Sequence, residues 1–285
     1  MHSEIFDSVL IENFRLRAVK KEKSNIDFLL MHACDDLAER LATVKRSFRY
    51  AIDLHSHTGL SAKVMKQSGK VMAIHRIESL SELLKKEYPS QIQPRETPFL
   101  EPNRADLIVS LLSLHLSNNI LSLLLQIQQG LEEDGLFLAV MCGQGTLKEL
   151  RASMIQAESE IYGGVNPRIA PFSTLSDAGI LLQKAGFILP VTDIENVIVR
   201  YNSAFDLMDD LRAMGMQNAL IKRSRQPVSR RFFMRTDAIY KERFRDTDKR
   251  IRATFAFIWM AGWAPLRIKL DSDHTYKGKT QARLL

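Results

Sequence analysis

Two stretches near the start of the chain place apolar residues three and four positions apart, the period of an amphipathic helix. They are residues 6–21 ("FDSVLIENFRLRAVKK") and 26–44 ("IDFLLMHACDDLAERLATV"). From Tyr50 onward, short apolar runs alternate with amphipathic stretches. The runs that we predict to be strands are "YAIDL", "KVMAIH", "ADLIVSLLS" and "GLFLAVMCG", and we expect the helices between them to begin near Leu60, Ser79 and Asn119.

This alternation predicts right-handed βαβ units and an α/β fold with a Rossmann-like, doubly wound and mostly parallel sheet. Later in the chain we expect helices over 146–161, 173–187, 204–214 and 230–244, and strands over 188–201 and 253–263. The predicted organisation is an N-terminal helical cap (1–48), a main domain (49–265) that includes a covering loop (161–172) and a helical insertion (203–250), and a tail (266–285).

The composition is typical of a packed soluble protein, because 45% of the 285 residues are hydrophobic and 26% are charged. Cys34 and Cys142 lie far apart and in no metal-ligand spacing, so we expect neither a disulfide framework nor a zinc ribbon. We expect no membrane span, since no uninterrupted apolar run of about 18 residues occurs. The first residues do not resemble a targeting peptide, and the expected location is the cytoplasm.

Basic residues are concentrated late in the chain. The formal net charge is +7, and residues 222–235 ("KRSRQPVSRRFFMR") contain six basic residues and no acidic one. Such a block is either a solvated helix face or a surface for an acidic protein, RNA or anionic lipid. We do not expect nucleic acid as a partner, because the block lacks RNA-binding motifs and regularly interleaved aromatic residues.

Ligands of doubly wound sheets bind at the carboxyl ends of the strands. The predicted strands therefore direct attention to the residues that follow them. These candidate positions are Asp53, His55, His57, Gly59, His75, Gln93, Ser110 and His115.

Several segments resemble those of one known family, and they run through most of the chain. They are "EIFDSVL", "ADLIVSLLSLH", "GQGTLKELR", "AESEIYGGVNPRIAPF", "LLQKAGF", "FDLMDDLRAMGMQNAL" and "FAFIWMAGWAP". On these segments the chain is similar to class I S-adenosylmethionine-dependent methyltransferases. More narrowly, it resembles bacterial relatives of the mitochondrial complex I assembly factor that hydroxylates an arginine, and malonyl-acyl-carrier-protein O-methyltransferases of biotin synthesis. The tail after Pro265 does not resemble that family's ending.

The resemblance implies a seven-stranded sheet with an antiparallel last strand and an S-adenosylmethionine site. In such a site an acidic residue is followed by glycines two, four and six positions later, where Asp53, His55, His57 and Gly59 stand here. The resemblance also implies acidic residues at the ends of the second and third strands, which we place at His75 and Gln93. Because an imidazole cannot accept two hydrogen bonds from a ribose as a carboxylate does, we expect a much reduced affinity for the cofactor.

The histidines support a second hypothesis. His55, His57 and His75 could form a three-histidine site for iron or zinc, which would suit hydroxylation. His115 could take part in catalysis, although a buried, hydrogen-bonded histidine is the alternative. The structural alternative for the whole loop is a scaffold whose cofactor residues have drifted.

The residues just before the covering loop supply the remaining candidates. Glu158 and Glu160 could pair with the guanidinium of an arginine substrate, or they are ordinary surface charges. Our first expectation is a methyltransferase-fold protein that acts on or chaperones a protein partner, such as a respiratory complex subunit, with arginine hydroxylation as its enzymatic form. The alternatives are an active S-adenosylmethionine-dependent methyltransferase of a small or carrier-bound substrate, and a non-enzymatic assembly protein.

Overall fold

The computed structural model describes residues 4–21, 27–84 and 87–266. Two helices, α1 (Ser8–Lys21) and α2 (Phe28–Thr43), come first. The sheet region follows with β1 (Phe48–Leu54), α3 (Leu60–Gln67), β2 (Val71–Glu78), β3 (Ser90–Ile92), β4 (Ala105–Leu111), α4 (Ile120–Gly130) and β5 (Leu131–Cys142). The remaining elements are α5 (Lys148–Tyr162), α6 (Leu175–Lys184), β6 (Ile188–Tyr201), α7 (Ala204–Ala213), α8 (Arg230–Phe244) and β7 (Ile251–Trp263).

The described strands form one seven-stranded sheet in the order β3-β2-β1-β4-β5-β7-β6. Neighbours from β3 to β5 pair in parallel, whereas β7 pairs antiparallel with both β5 and β6. The predicted α/β class, the mostly parallel sheet and the antiparallel last strand are therefore confirmed. The order reverses at β1 and β4, so ligands are expected at the carboxyl ends of these two strands.

Both faces of the sheet are covered, as a mainly parallel sheet requires. In β5, the side chains of Leu136, Leu138 and Val140 pack in a core formed with α2, α3, α5 and α7. The alternate residues Phe137 and Ala139 pack on the other face, against α4 and α6. Alternation with a period of two thus gives two cores from one strand.

Local signals account for several helix boundaries. Asn119 accepts a hydrogen bond from the amide of Ser122 and begins α4, as its position in the sequence predicts. Thr174 and Asp177 form a reciprocal capping box at the start of α6. The prediction of a helix near Ser79 is wrong, because the described residues there form a single 3₁₀ turn (Ser81–Leu83) and the short strand β3.

Both cysteines lie in the interior of the protein. Cys34 and Cys142 are buried and unbonded, and burial raises the pKa of each thiol to about 12. Among the described residues, no helix is both long and apolar enough to cross a bilayer. The residues of the predicted tail beyond Leu266 lie outside the described part of the chain.

Candidate functional site

The loop after β1 keeps a conformation suited to glycine although two of its residues are histidines. His55, His57 and Gly59 have φ values of 53°, 62° and 82°. A residue with a Cβ atom adopts this left-handed region at a cost of about 1–2 kcal/mol. The loop therefore holds two imidazoles in backbone positions that are most favourable for a residue without a side chain.

Asp53, at the end of β1, is bound by the protein itself. Its carboxylate accepts a hydrogen bond from Ser61 Oγ at 2.5 Å and from Arg76 Nε at 2.9 Å. The buried guanidinium of Arg76 also donates to the carbonyl oxygens of His57 and Leu83. The same guanidinium lies over Gly59, where an added Cβ would come within 2.5 Å of Arg76 Cζ. The ion pair therefore fastens the loop against β2.

The end of β2 lies three residues later than predicted. His75 pairs with Ile52 in the middle of the β1–β2 ladder, and its half-buried ring lies 6.3 Å from that of Tyr50. The strand continues through Arg76 and ends at Glu78. His75 is therefore not at the end of the strand, where the sequence had predicted it; the residue at that end is acidic, Glu78.

Glu78 is fully buried beside basic and imidazole groups. Its Oε2 lies 3.4 Å from Arg15 Nη2 and 3.8 Å from His55 Nδ1. Burial alone would raise its pKa, but Arg15 and His55 lower the pKa to about 2, so Glu78 is charged at neutral pH. Its Oε1 and both ring nitrogens of His55 have no hydrogen-bond partner among the described residues.

Helix α1 supplies the groups that close this site. Arg15 donates to Ser79 Oγ at 3.3 Å, and its Nη2 lies 3.3 Å from His57 Nδ1. Glu12, one turn earlier, accepts from Ser79 at 2.8 Å and pairs with Arg95. Burial, followed by the charge of Arg15, lowers the pKa of His57 to about 4. A neutral His57 can therefore accept a hydrogen bond from Arg15.

The other two predicted cofactor contacts also lie near this edge of the sheet. Gln93 directly follows β3, its amide donates to the carbonyl of Glu78 at 2.9 Å, and its side-chain oxygen accepts from Phe99. Ser110 lies within β4, and its buried hydroxyl has no partner among the described residues. Neither residue supplies the carboxylate that the resemblance implies.

His115 lies between two cavities. A cavity of about 80 Å³ adjoins the loop after β1, and one of about 300 Å³ lies under the covering loop. His115 lines both and accepts a hydrogen bond from the amide of Cys142 at 3.3 Å. Burial lowers its pKa to about 3, so it is neutral. His115 is thus a buried, hydrogen-bonded histidine, as the structural alternative predicts. Because it lines both cavities, it is also a candidate for contact with a substrate.

The acidic residues of the covering region bind arginines of the chain itself. Glu158 is buried and accepts from Arg168 at 2.7 Å and from both the amide and the side chain of Asn166. Exposed Glu160 pairs with Arg235. Among the described residues, the larger cavity is lined by two charged side chains, Arg168 and Arg212, and by no carboxylate. Neither glutamate is therefore free to receive a substrate guanidinium in this arrangement.

Similarity to known proteins identifies the family. The chain is 34% identical over 265 residues to human arginine-hydroxylase NDUFAF5, mitochondrial, which covers 91% of this chain and 76% of the human protein. It is 33% identical over 268 residues to the Dictyostelium discoideum protein of that name, covering 86% of this chain and 61% of that protein. The chain belongs to the NDUFAF5 family. The match with the Dictyostelium relative spans 61% of that protein, which is less than two thirds of its length.

More distant relatives of this NDUFAF5-family chain include malonyl-[acyl-carrier protein] O-methyltransferase of Laribacter hongkongensis, at 28% identity over 85% of this chain and 86% of that protein. No protein-family model matches the chain. Two solved structures share its fold, each with a TM-score of 0.55: the YcgJ protein of Bacillus subtilis (14% identity, 83% and 100% of the two chains) and a candidate methyltransferase of Bacillus halodurans (12%, 81% and 98%). The fold is that of class I methyltransferases.

The three histidines proposed as metal ligands are not gathered into one ligand group in this NDUFAF5-family chain. His75 lies within β2, and the donor atoms of His55, His57 and His75 do not form a group within 4.8 Å of one another. In the described part of the chain, such a group is formed by His32, Asp36 and Glu195, on α2 and β6. It lies away from the loop after β1.

Two features of the site bear on whether S-adenosylmethionine could bind there. The cavity of about 80 Å³ beside the loop is well below the roughly 300–1,000 Å³ of pockets for ligands of that class. Glu78, which would accept the ribose hydroxyls, faces Arg15, and His55 and His57 occupy the loop. A ligand that used Glu78 would have to displace the Arg15 side chain from it.

Proposed function

We propose that this protein acts on or chaperones a protein partner, as the resemblance to complex I assembly factors implies, and that it does so without binding S-adenosylmethionine in the usual way. The observation that carries the proposal is the contact of Arg15 with Glu78. This contact places a cation of α1 against the one carboxylate of the cofactor site that the protein retains at the end of β2. The larger cavity under the covering loop is not lined by Arg15 or Glu78 and leaves room for a side chain of a partner.

Two forms of this function differ in what happens to the partner. The NDUFAF5 relatives are named arginine-hydroxylases, so one form is hydroxylation of a partner arginine. A buried guanidinium needs a carboxylate or other acceptors around it. Among the described residues, the side-chain acceptors of the lining are the neutral His115, Gln217 and Asn218, and its charged groups are the cations Arg168 and Arg212. Because this set includes no carboxylate, we favour the chaperoning form.

A second candidate function is an active S-adenosylmethionine-dependent methyltransferase. Glu78 favours it, because a carboxylate at the end of β2 is the acceptor that such enzymes are expected to present to the ribose, and the sequence pattern had placed a histidine there. This function requires α1 to withdraw Arg15 from the site. The malonyl-[acyl-carrier protein] O-methyltransferase relatives make a carrier-bound substrate the natural one to test.

Calorimetric titration with S-adenosylmethionine separates the two candidates. For the unmodified protein we expect no heat of binding at millimolar cofactor, whereas micromolar binding would overturn the proposal and support the methyltransferase. Two variants locate the obstruction: Arg15→Leu, which releases Glu78, and His55→Gly combined with His57→Gly, which restores the bare loop. Arg17→Leu is the matched control, since Arg17 is an exposed residue of the same helix.

The partner is tested by co-expression with respiratory complex subunits. Co-purification with one subunit at a fixed stoichiometry is the expected result, and mass spectrometry of its arginines distinguishes the two forms. An arginine heavier by one oxygen atom, lost when the NDUFAF5-family protein is omitted, would establish hydroxylation and exclude the purely chaperoning form. Failure to associate with any subunit of the complex would refute the proposed partner class.

A further inference from the structure

A strongly basic segment borders the larger cavity. Residues 220–232 connect Ala219 to Phe233, and both of these residues line the cavity. Arg168, another residue of the cavity lining, lies over the ring of Phe232, with its Cζ 4.4 Å from the ring centroid. The segment therefore lies at the rim of the cavity, next to the covering loop.

Most of the charge in this segment is not used within the protein. Arg223 pairs with Asp7, and Arg235, just beyond the segment, pairs with Glu160. Four further basic residues are exposed and form no ion pair with any residue in the described ranges. These four residues, Lys222, Arg225, Arg230 and Arg231, are called the basic surface below.

The start of α8 shows that this charge does not stabilise the helix. Arg230 and Arg231 are its first two residues, and its first turn contains no acidic residue. Cations are unfavourable at a helix N-terminus because the helix dipole is positive there. The same dipole adds to the positive potential of the arginines, so the basic surface attracts negative charge from outside this helix.

The chain's own tail is not a suitable counterpart. Residues 267–285 contain five basic and two acidic residues, so their net charge has the same sign as the basic surface. Single-stranded RNA is a poorer match than protein, since base stacking needs accessible rings and the two aromatic residues here, Phe232 and Phe233, are buried or line the cavity. A membrane is a poorer match as well, because a flat surface cannot fill a concave cavity.

We propose that the basic surface binds an acidic segment of the protein partner and that an apolar residue beside that segment enters the cavity. The cavity suits such a residue because its walls include Leu116, Leu150, Phe172, Met208 and Leu211. Charge complementarity directs the encounter and the apolar residue adds contact area. The inference rests on the proposed action on a protein partner and adds the chemistry that the partner presents.

Fluorescence anisotropy with synthetic peptides tests both parts. The probe is a labelled peptide with a run of glutamates followed by two leucines. We expect replacement of the four residues of the basic surface by glutamine to weaken its binding about tenfold or more, from the loss of several exposed ion pairs. In the matched control, glutamine replaces four lysines that are exposed elsewhere: Lys45, Lys63, Lys66 and Lys184. This variant should change the affinity for the peptide less than about twofold.

Changes in the probe complete the test. Replacing its leucines by serines should weaken binding several-fold, and replacing its glutamates by lysines should abolish it. The proposal is overturned if the glutamine variant binds the probe as tightly as the unmodified protein. It is also overturned if a uridine oligonucleotide, or vesicles containing phosphatidylglycerol, bind the basic surface more tightly than the acidic peptide. The calorimetric titration with S-adenosylmethionine does not depend on the basic surface. A negative result with the peptide is therefore distinguishable from a negative result for the proposed lack of cofactor binding.

Discussion

The contribution of the ion pair between Asp53 and Arg76 to the stability of the protein can be measured by replacing the arginine. Replacing Arg76 with methionine keeps an apolar stem of similar length and removes the guanidinium. Asp53 and Arg76 side chains are 0% and 1% exposed, and the pair is 2.9 Å apart. Removing one member of such a pair costs about 3–5 kcal/mol, because the other charge is left buried.

Two further effects change the stability that Arg76→Met is expected to lose. The carbonyl oxygens of His57 and Leu83 lose their donor, which adds about 1 kcal/mol each if they stay dry. A buried aspartate escapes part of the penalty by taking up a proton, which costs about 4 kcal/mol at pH 7 for the free side chain. We therefore expect Arg76→Met to lower the free energy of unfolding by about 4–6 kcal/mol.

Urea unfolding followed by circular dichroism measures this loss. The gap between the two proteins should narrow by about 2–3 kcal/mol from pH 7 to about pH 5, because protonating the stranded aspartate becomes easier by about 1.4 kcal/mol per pH unit. Arg212→Met is the control, since Arg212 forms an exposed pair with Asp209 and should lose less than about 1 kcal/mol. A loss below about 1 kcal/mol for Arg76→Met, or a gap that does not change with pH, would refute the reasoning.

Three other predictions concern the loop after β1 and the covering loop. His57, with its pKa of about 4, binds a proton more readily when unfolded, so stability should fall by up to about 3 kcal/mol as the pH drops from about 6.5 towards 4, and His57→Gly should flatten this dependence of the urea midpoint. Glu158→Gln should loosen the covering loop, so that trypsin cleaves after Arg168 several-fold faster, while the exposed Glu160→Gln control leaves the rate unchanged. Gly59→Ala should cost more than Gly69→Ala: both have positive φ, but the new methyl group meets Arg76 at Gly59 and nothing within 4 Å at Gly69. Equal losses for the two alanine variants would show that Arg76 moves aside freely.

Most of the secondary structure could be predicted from periodicity. The strand over 188–201 and the helix over 230–244 have the predicted bounds, since alternation and spacing are properties of the local sequence. The strand β3 was missed because its three residues are all exposed and carry no apolar pattern.

The error at the end of β2 has a different cause. Arg76 interrupts the apolar run after His75, and a charged residue usually marks the end of a buried strand. Here Arg76 is buried because it meets Asp53, which is 23 positions earlier. A pairing between distant residues leaves no trace in local pattern, and so Glu78 was not recognised.

The same limit applies to the groups around the candidate site. Arg15 and Glu12 lie on α1, more than 60 residues before Glu78, and nothing in an amphipathic helix shows which of its charges will face a cleft. Glu158 could be predicted as a residue of the covering region, but its partners, Arg168 and Asn166, were not. Motif spacing located the site, whereas tertiary contacts decide what its charges do.

Because Arg15 is tethered to the cleft that it occupies, the chain carries a competitor for its own site. Arg15 belongs to the same chain and is already in contact with Glu78, so it competes without any loss of translational freedom. Any molecule that uses Glu78 must displace this competitor, and its apparent affinity is lowered by the fraction of time that Arg15 is bound. By linkage, a partner that draws α1 away would strengthen small-molecule binding by the same factor by which that molecule strengthens the partner's binding. The position of α1 would thus couple binding of a ligand at Glu78 to binding of a partner at the N-terminal helix.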